Sequence, residues 1–257
     1  MIEMVPRHCI LCDDKPEGAS FIHTDDVVFV RCPKCSLIWR LKPEIDYAAY
    51  DDPEYHTGCY DKRRAHRVKK GRRQLALIEK YRPKGAKGAL LEVGCSMGYF
   101  LEAAVNEGWR AVGLEASSHA VQHCRGNGFE AYQSDAAGMK EMGLVFDVVV
   151  MKHVLEHFPD PVECLQQYHS LLKPGGLLFI EIPNAGYYKG NILKEKYKFY
   201  RLEYAAAQHF YYFTPENLKQ LLEKTGFDVL LPCDRLNAAL SVFGLSKQFM
   251  CLAQKPA

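Results

Sequence analysis

Three groups of residues have types and spacings that could do chemistry. Cys9-x-x-Cys12 and Cys32-x-x-Cys35 form two knuckles with four thiols between them. Thiolates at this spacing fit one tetrahedral ion, most simply a structural zinc, with rubredoxin-like iron as the other candidate. The surrounding segment is too short to build a core, so a bound metal would supply its folding energy. The second group is Leu90–Phe100, Leu-Leu-Glu-Val-Gly-Cys-Ser-Met-Gly-Tyr-Phe. A short apolar run ends in Glu92, and small residues alternate at Gly94, Ser96 and Gly98. A ligand can lie against such a backbone, and the next helix aims its free N–H groups at the same place. The third group, His153-Val-Leu-Glu156-His157, reads as H-x-x-E-H, an inverted zinc-peptidase pattern. That chemistry needs both histidines on a helix. Here a buried strand precedes the motif and Phe158-Pro-Asp-Pro follows it, which leaves no helix of useful length.

The elements that must position these groups follow from pattern. Val27–Val30 suits a strand leading into the second knuckle, and residues 1–42 form the metal module. Residues 43–88 hold a Tyr-rich linker and a basic helix over 61–82, with Lys62, Arg63, Arg64, Arg67, Lys69, Lys70, Arg72 and Arg73 preceding Leu75, Leu77 and Ile78. That helix is either a phosphate-binding face or a solvated helix docked through its apolar end. From residue 89 to 257 strands and helices alternate. Strands are expected at 90–93, 111–114, 129–133, 146–151 and 177–182, with late ones at 228–231 and 248–252. Helices are expected over 99–107, from a Ser117 cap to Arg125, from an Asp160 cap to Lys173-Pro-Gly-Gly, and from a Thr214 cap to Thr225. This is an α/β, doubly wound, mostly parallel sheet, whose ligand should lie at the carboxyl ends of the strands. An aromatic and basic insertion, 183–213, is the candidate wall or lid of an acceptor pocket.

Composition narrows the class. The chain has 257 residues, 48% of them hydrophobic, which suffices for one sizeable core plus a small appendage. A formal net charge of +2 gives no global pull towards nucleic acid or anionic membrane. No apolar run spans a bilayer and the N-terminus shows no signal-peptide pattern, so a cytoplasmic protein with reduced thiols is expected.

The glycine turn does not fit a dinucleotide. Its fingerprint is G-x-G-x-x-G, and Tyr99 stands where the third glycine would fall. The loop has instead the form E-x-G-x-G-x-G, with Ser96 at the middle glycine. Together with Leu155–Pro161 (Leu-Glu-His-Phe-Pro-Asp-Pro), Lys173–Gly176 (Lys-Pro-Gly-Gly) and His209–Glu216 (His-Phe-Tyr-Tyr-Phe-Thr-Pro-Glu), it resembles the class I S-adenosylmethionine-dependent methyltransferases, over residues from about 45 to 254. The resemblance implies a Rossmann-like seven-stranded sheet and S-adenosylmethionine as cofactor. It implies that Glu92, Gly94, Cys95, Ser96 and Gly98 flank the methionine moiety, with Glu92 near its ammonium group. Glu115 and Ala116 would meet the ribose, Asp135 and Ala136 the adenine, and Met151 and Lys152 would lie by cofactor and acceptor. Sugar C-methyltransferases are similar in carrying an N-terminal four-Cys module. They usually carry a further C-terminal domain, so O-methylation of a sugar-containing or phenolic metabolite is the stronger expectation.

Methyl transfer to a hydroxyl needs a proton acceptor, and an imidazole suits this near neutrality. The candidates are His153, His157 and His209, with His153 favoured because it follows the fourth strand. An amine acceptor would need no base. Two other functions stay open: an RNA methyltransferase using the metal module and basic helix, and a non-catalytic interaction protein that has kept the fold. A homodimer is compatible with the sequence, and nucleic acid is an unfavoured partner.

Overall fold

In a computed structural model of the chain, the described residues are 8–12, 20–23, 28–40, 63–83, 85–185, 209–231 and 248–257. The Tyr-rich linker and most of the 183–213 insertion, with its aromatic and basic residues, lie outside them. The chain divides into two compact units. One comprises Met1–Ile45, His153–Gln166 and Ile180–Cys251; the other comprises Asp46–Lys152, Gln167–Phe179 and Leu252–Ala257.

In chain order the strands and helices are β1 (Ser20–His23), β2 (Val28–Arg31), β3 (Ile38–Arg40), α1 (Arg64–Glu79), β4 (Ala89–Val93), α2 (Tyr99–Asn106), β5 (Arg110–Leu114), α3 (Ser118–Gly126), β6 (Glu130–Tyr132), α4 (Ala136–Glu141), β7 (Phe146–Lys152), α5 (Pro161–Leu171), β8 (Leu172–Pro183), β9 (Tyr211–Tyr212), α6 (Pro215–Lys224), β10 (Asp228–Leu231) and β11 (Gln248–Gln254). One 3-10 turn, Leu155–His157, follows β7. Seven strands form one sheet in the order β10-β11-β8-β7-β4-β5-β6. The expected alternation is present, with two differences. Helix α4 was not expected, because six residues are too few for a helical period to show. Strand β8 begins at Leu172, so Lys173-Pro-Gly-Gly lies within its first residues rather than beyond the helix end.

The parallel pairs explain how the sheet sets up a ligand edge. Val93 pairs with Leu114 on one side and with Met151 on the other, and Leu114 pairs with Tyr132. Gly94, Glu115 and Lys152 therefore emerge side by side at the carboxyl edge. Strand β7 can sit in the middle because Val148, Val149, Val150 and Met151 are all fully buried. At the amino edge Asp147 Oδ2 accepts from Ala89 N–H and from Lys173 Nζ, both at 2.8 Å. Helix α1 packs on α2 through Gly71, where an added Cβ would stand 3.0 Å from Ala103 Cβ. Its buried face is Gly71, Gln74, Leu75 and Ile78. Among its cations, Arg64 pairs with Glu102 and Arg72 with Glu107, so part of the basic face serves to dock α1.

The other unit contains a four-stranded antiparallel sheet, β1-β2-β3-β9. Nothing in the local pattern indicates that a strand near residue 211 joins the cysteine module. Ile38 pairs with Tyr212 and Trp39 with Tyr211, and Arg40 N–H donates to the Phe210 carbonyl at 2.9 Å. Phe29, Ile38, Ala185 and Tyr212 form a buried cluster against it. Helix α6 is capped as expected, with a reciprocal box between Thr214 and Asn217. It also ties down both knuckles: Asn217 Nδ2 donates to the Cys35 carbonyl at 2.9 Å, and Lys224 Nζ to the Ile10 carbonyl at 2.8 Å.

Candidate functional site

Three groups of side chains could do chemistry, each described within its own unit. The first is the turn between β4 and α2. Gly94 has φ 67°, Ser96 φ 46° and Gly98 φ 74°, so all three alternate residues take the left-handed conformation. Gly98 has a second reason to be glycine, since a Cβ there would lie 2.9 Å from Cys124 Sγ. Ser96 takes this conformation with a side chain, which costs about 1–2 kcal/mol.

What holds Ser96 there is Glu115. Its Oε2 accepts from Ser96 N–H at 2.7 Å, while Oε1 accepts from Ala116 N–H at 2.8 Å and Ser117 N–H at 3.2 Å. A carboxylate has roughly four acceptor positions. One is therefore spent bracing the turn and two bind the backbone that follows β5; the remaining one, on Oε2, takes no bond among the described residues. Ser117 caps α3 by accepting from Ala120 N–H. Asp135 is likewise the N-cap of α4, its Oδ1 accepting from Gly138 N–H at 2.9 Å, with Oδ2 left over. Cys95 is buried, as are Ala136 and Met151, while Ala116 is exposed beside Glu115.

Glu92 is only 3% exposed, and its Oε1 lies 3.1 Å from Lys152 Nζ. Its Oε2 is buried with no hydrogen-bond partner. Burial raises the Glu92 pKa, with Lys152 opposing. The Lys152 ammonium also sits 4.1 Å from the centre of the Phe100 ring.

The second group lies in the other unit and centres on Glu156, 1% exposed. His153 has φ 57°, and its ring bridges two buried acids: Nδ1 is 3.6 Å from Glu156 Oε1 and Nε2 is 3.4 Å from Glu181 Oε1. The backbone N–H of His153 donates to the Glu181 carbonyl at 2.8 Å. The His153 side chain is 45% exposed; partial desolvation would lower its pKa, but Glu156 and Glu181 outweigh this and bring it to about 9. Burial would raise the Glu156 carboxyl, but the surrounding histidines, His153 first, hold it below the usual range. His209 behaves in the opposite way from His153: burial takes it down to about 4, with Glu156 opposing and His157 and His153 adding to the fall. Its Nε2 is 4.0 Å from Glu156 Oε1, and its ring stacks edge-on against His157 at 4.7 Å. Glu156, His157 and His209 each put one donor atom within 4.8 Å of the others, a group that could hold a metal ion.

The three candidate histidines lie around Glu156, which the sequence argument did not single out as their partner, and Glu181 was missed. The available signal was a lone acid inside the apolar run Leu177–Ile182. Phe100 was also missed, because it reads as an ordinary helix residue.

The third group is the cysteine module. Cys9, Cys12, Cys32 and Cys35 place their sulfurs within 4.8 Å of one another. Cys9 and Cys35 are 3.5 Å apart. Four sulfurs on a tetrahedral ion at about 2.3 Å stand about 3.8 Å from each other, so the donor set fits. The hydrogen bond from Cys35 is the main cause that draws the Cys9 thiol down to about 5, towards the thiolate form that ligates metals.

Residues 60–231 match a family described as a methyltransferase domain. A ubiquinone biosynthesis O-methyltransferase from Ruegeria pomeroyi is 31% identical over 154 residues, which is 57% of this chain and 61% of that protein. The enzyme of the same name from Coxiella burnetii (strain RSA 331) is 27% identical over 149 residues, 55% of this chain and 64% of that one. The chain thus spans less than two thirds of these relatives' length. Among solved structures, the plantazolicin methyltransferase BpumL in complex with SAH has a TM-score of 0.60 at 16% identity, covering 82% of this chain and 93% of that one. A SAM-dependent methyltransferase from Archaeoglobus fulgidus has a TM-score of 0.52 at 24% identity, covering 73% of this chain and 94% of that one. These likenesses show the fold.

Proposed function

The chain belongs to the methyltransferase-domain family, and from that premise we propose that it is an S-adenosylmethionine-dependent O-methyltransferase acting on a small hydroxylated, phenolic or sugar-containing acceptor. The observation that carries the cofactor reading is the braced turn: three left-handed residues, Gly94, Ser96 and Gly98, held open by Glu115. The residues present suit the cofactor. Glu92 keeps one buried, unpartnered oxygen for an ammonium group, and Glu115 keeps one acceptor position for a ribose hydroxyl. Asp135 Oδ2 remains for the adenine amino group. The relatives named O-methyltransferases support oxygen as the acceptor atom.

When bound, the cofactor supplies a methyl on a sulfonium, whose carbon–sulfur bond breaks as a carbon–oxygen bond forms, leaving a thioether and one proton from the hydroxyl. The chain must take that proton. His153, favoured from sequence, is unsuited, because its two acid partners keep it protonated up to about pH 9. Burial keeps His209 neutral, and we assign it the proton-accepting role. Glu156, 4.0 Å away, would stabilise the imidazolium that forms. His153 then serves as a fixed positive charge that holds Glu156 and Glu181 in place.

The test is transfer from S-adenosylmethionine to a panel of catechols, simpler phenols and sugars, read by mass spectrometry of the product. O-methylation of one class is expected, with turnover falling about 10²- to 10⁴-fold in His209→Gln while S-adenosylhomocysteine still binds. The wild-type rate should decline as pH rises through about 9, where His153 loses its proton. Methylation confined to RNA, to nitrogen or to carbon would overturn the assignment. An RNA substrate has less support, because Arg64 and Arg72 of the basic helix are already paired with acids of α2 and the turn after it.

The four cysteines are proposed to hold a structural zinc. The metal would fix Cys32 and Cys35 at the start of β3, which pairs with β9 next to His209.

A further inference from the structure

Helix α1 has two faces with different uses. Gly71, Gln74, Leu75 and Ile78 are buried and carry its packing. On the side turned away from them, His66, Lys69, Arg73, Ala76 and Lys80 recur at steps of three and four residues, so they form one row along the helix. All five are exposed. At the α-helical rise the row is about 21 Å long. It contains no acid. Arg63, exposed at the N-cap, carries the positive charge past the helix start, and no acid stands in the first turn, where the helix dipole favours one.

This charge is not compensated from nearby. The acids beside α1 are taken by other cations: Glu102 by Arg64, Glu107 by Arg72 and Lys87, and Glu79 by Arg82 and Lys87. Among the described residues, Arg63, Lys69, Arg73 and Lys80 pair with no acid. The sequence carries the same asymmetry. Residues 62–87 hold 12 of the chain's 33 Lys and Arg and one of its 31 Asp and Glu, so the remainder is net negative although the whole chain is +2. Lys69 and Arg73 are one helical turn apart, where like charges repel. A row of cations that docks no element and strains its own helix has its complement in a row of anions.

The class of polyanion follows from what the row lacks. Protein partners are held chiefly by buried aromatic or aliphatic anchors, and the row offers only Ala76. A helix lying on a membrane turns Trp, Phe or Leu towards the acyl chains, whereas Leu75 and Ile78 of α1 are buried in the protein. A nucleic-acid backbone needs neither, because its affinity comes from phosphates neutralised by Lys and Arg. We propose that the exposed cationic row of α1 is a sequence-independent binding site for the phosphodiester backbone of a nucleic acid. The site tethers the chain and takes no part in methyl transfer, so it stands apart from the choice of acceptor. Arg64 and Arg72, which dock α1 on its other flank, are not needed for it.

The test is fluorescence anisotropy of the full chain with labelled single-stranded RNA, single-stranded DNA and duplex DNA of mixed sequence, between about 50 and 200 mM salt. Binding should be weak, with Kd roughly 1–100 µM, and should vary little with sequence. On single strands, four neutralised phosphates give a slope of about −3 for log affinity against log salt. The three probes tell which polymer the row holds best. In Lys69→Ala/Arg73→Ala, affinity at about 50 mM salt should fall about ten- to a hundredfold and the slope should shrink by about 1.5. S-adenosylhomocysteine affinity and the thermal midpoint should stay as in the wild type. Lys140→Ala/Lys219→Ala removes the same charge elsewhere and should bind nucleic acid normally. Three results would overturn the proposal: no binding to any probe at low salt, undiminished binding by Lys69→Ala/Arg73→Ala, or an equal loss in the Lys140→Ala/Lys219→Ala control. Tighter retention on polyglutamate or on phosphatidylglycerol vesicles than on nucleic acid, lost in Lys69→Ala/Arg73→Ala, would overturn it in favour of an acidic protein or a lipid surface.

Discussion

Removing the zinc proposed for the cysteine module should unravel the sheet β1-β2-β3-β9. Its strands have only four, four, three and two residues, and structural zinc contributes an apparent free energy of about 10–16 kcal/mol at neutral pH in small metal-folded modules. That matches or exceeds the whole stability of a typical domain, about 5–15 kcal/mol. The expected consequence reaches beyond the knuckles. Strand β3 pairs with β9, and Phe210 N–H donates to the Glu156 carbonyl at 2.8 Å. Loss of the metal should therefore disorder the setting of His209. The chain holds two tryptophans, which makes the test simple. Trp39 is 2% exposed in β3, and Trp109 is 3% exposed in the other unit, under Arg82. In a Trp109→Phe variant, a strong chelator or a Cys35→Ser change should shift the Trp39 emission to the red. In a Trp39→Phe variant, Trp109 should report no such change. Emission from Trp39 that stays buried after verified metal loss would mean that the sheet does not depend on the ion.

Replacing Glu115 should cost more cofactor affinity than any other single change in the turn. Its carboxylate does two tasks that cannot be separated by geometry. It holds Ser96 in a left-handed conformation through a 2.7 Å bond, and it keeps one acceptor position for the ribose. Hydrogen bonds to a charged acceptor contribute about 1.5–3 kcal/mol each, so losing the brace and the ligand contact together should weaken S-adenosylhomocysteine binding about a hundredfold or more in Glu115→Ala. Glu115→Gln should not rescue it, although it preserves shape. One oxygen can still accept from Ala116 and Ser117, but the other position becomes an NH₂ group facing the Ser96 N–H. Calorimetry on both variants checks this, with the thermal midpoint as control for folding. A Glu115→Gln variant that binds as the wild type does would show that neither the charge nor the second acceptor matters.

Much of the α/β unit was legible because its signals are local. Val148–Met151 reads as a strand buried on both faces, Ser117, Asp160 and Thr214 read as caps, and Gly94-x-Ser96-x-Gly98 reads as a tight turn. Each of these is fixed by neighbours within a few residues, and each is present. The antiparallel pairing of β3 with β9 was not legible, because a two-residue strand carries no period and its partner lies far away in sequence. The resemblance implies ligand contacts for Glu115 and Asp135. In the fold both acids also accept backbone N–H groups, a use that depends on where the next helix begins. The case of His153 is similar. A histidine after a strand suggests a base, but its protonation is set by Glu156, three residues on, together with Glu181, which comes from a different strand and is invisible from local pattern. Glu92 and Lys152 were both singled out, yet nothing in the sequence showed that strand register would set them 3.1 Å apart.

Central to this reading is that the braced turn at the carboxyl edge of β4 takes S-adenosylmethionine rather than a dinucleotide. The most direct measurement is calorimetric titration of the full chain with S-adenosylhomocysteine and, separately, with NAD⁺. One-to-one binding of S-adenosylhomocysteine in the micromolar range is expected, with no heat from NAD⁺. Saturable NAD⁺ binding, or no binding of S-adenosylhomocysteine by a folded, metal-loaded protein, would contradict it.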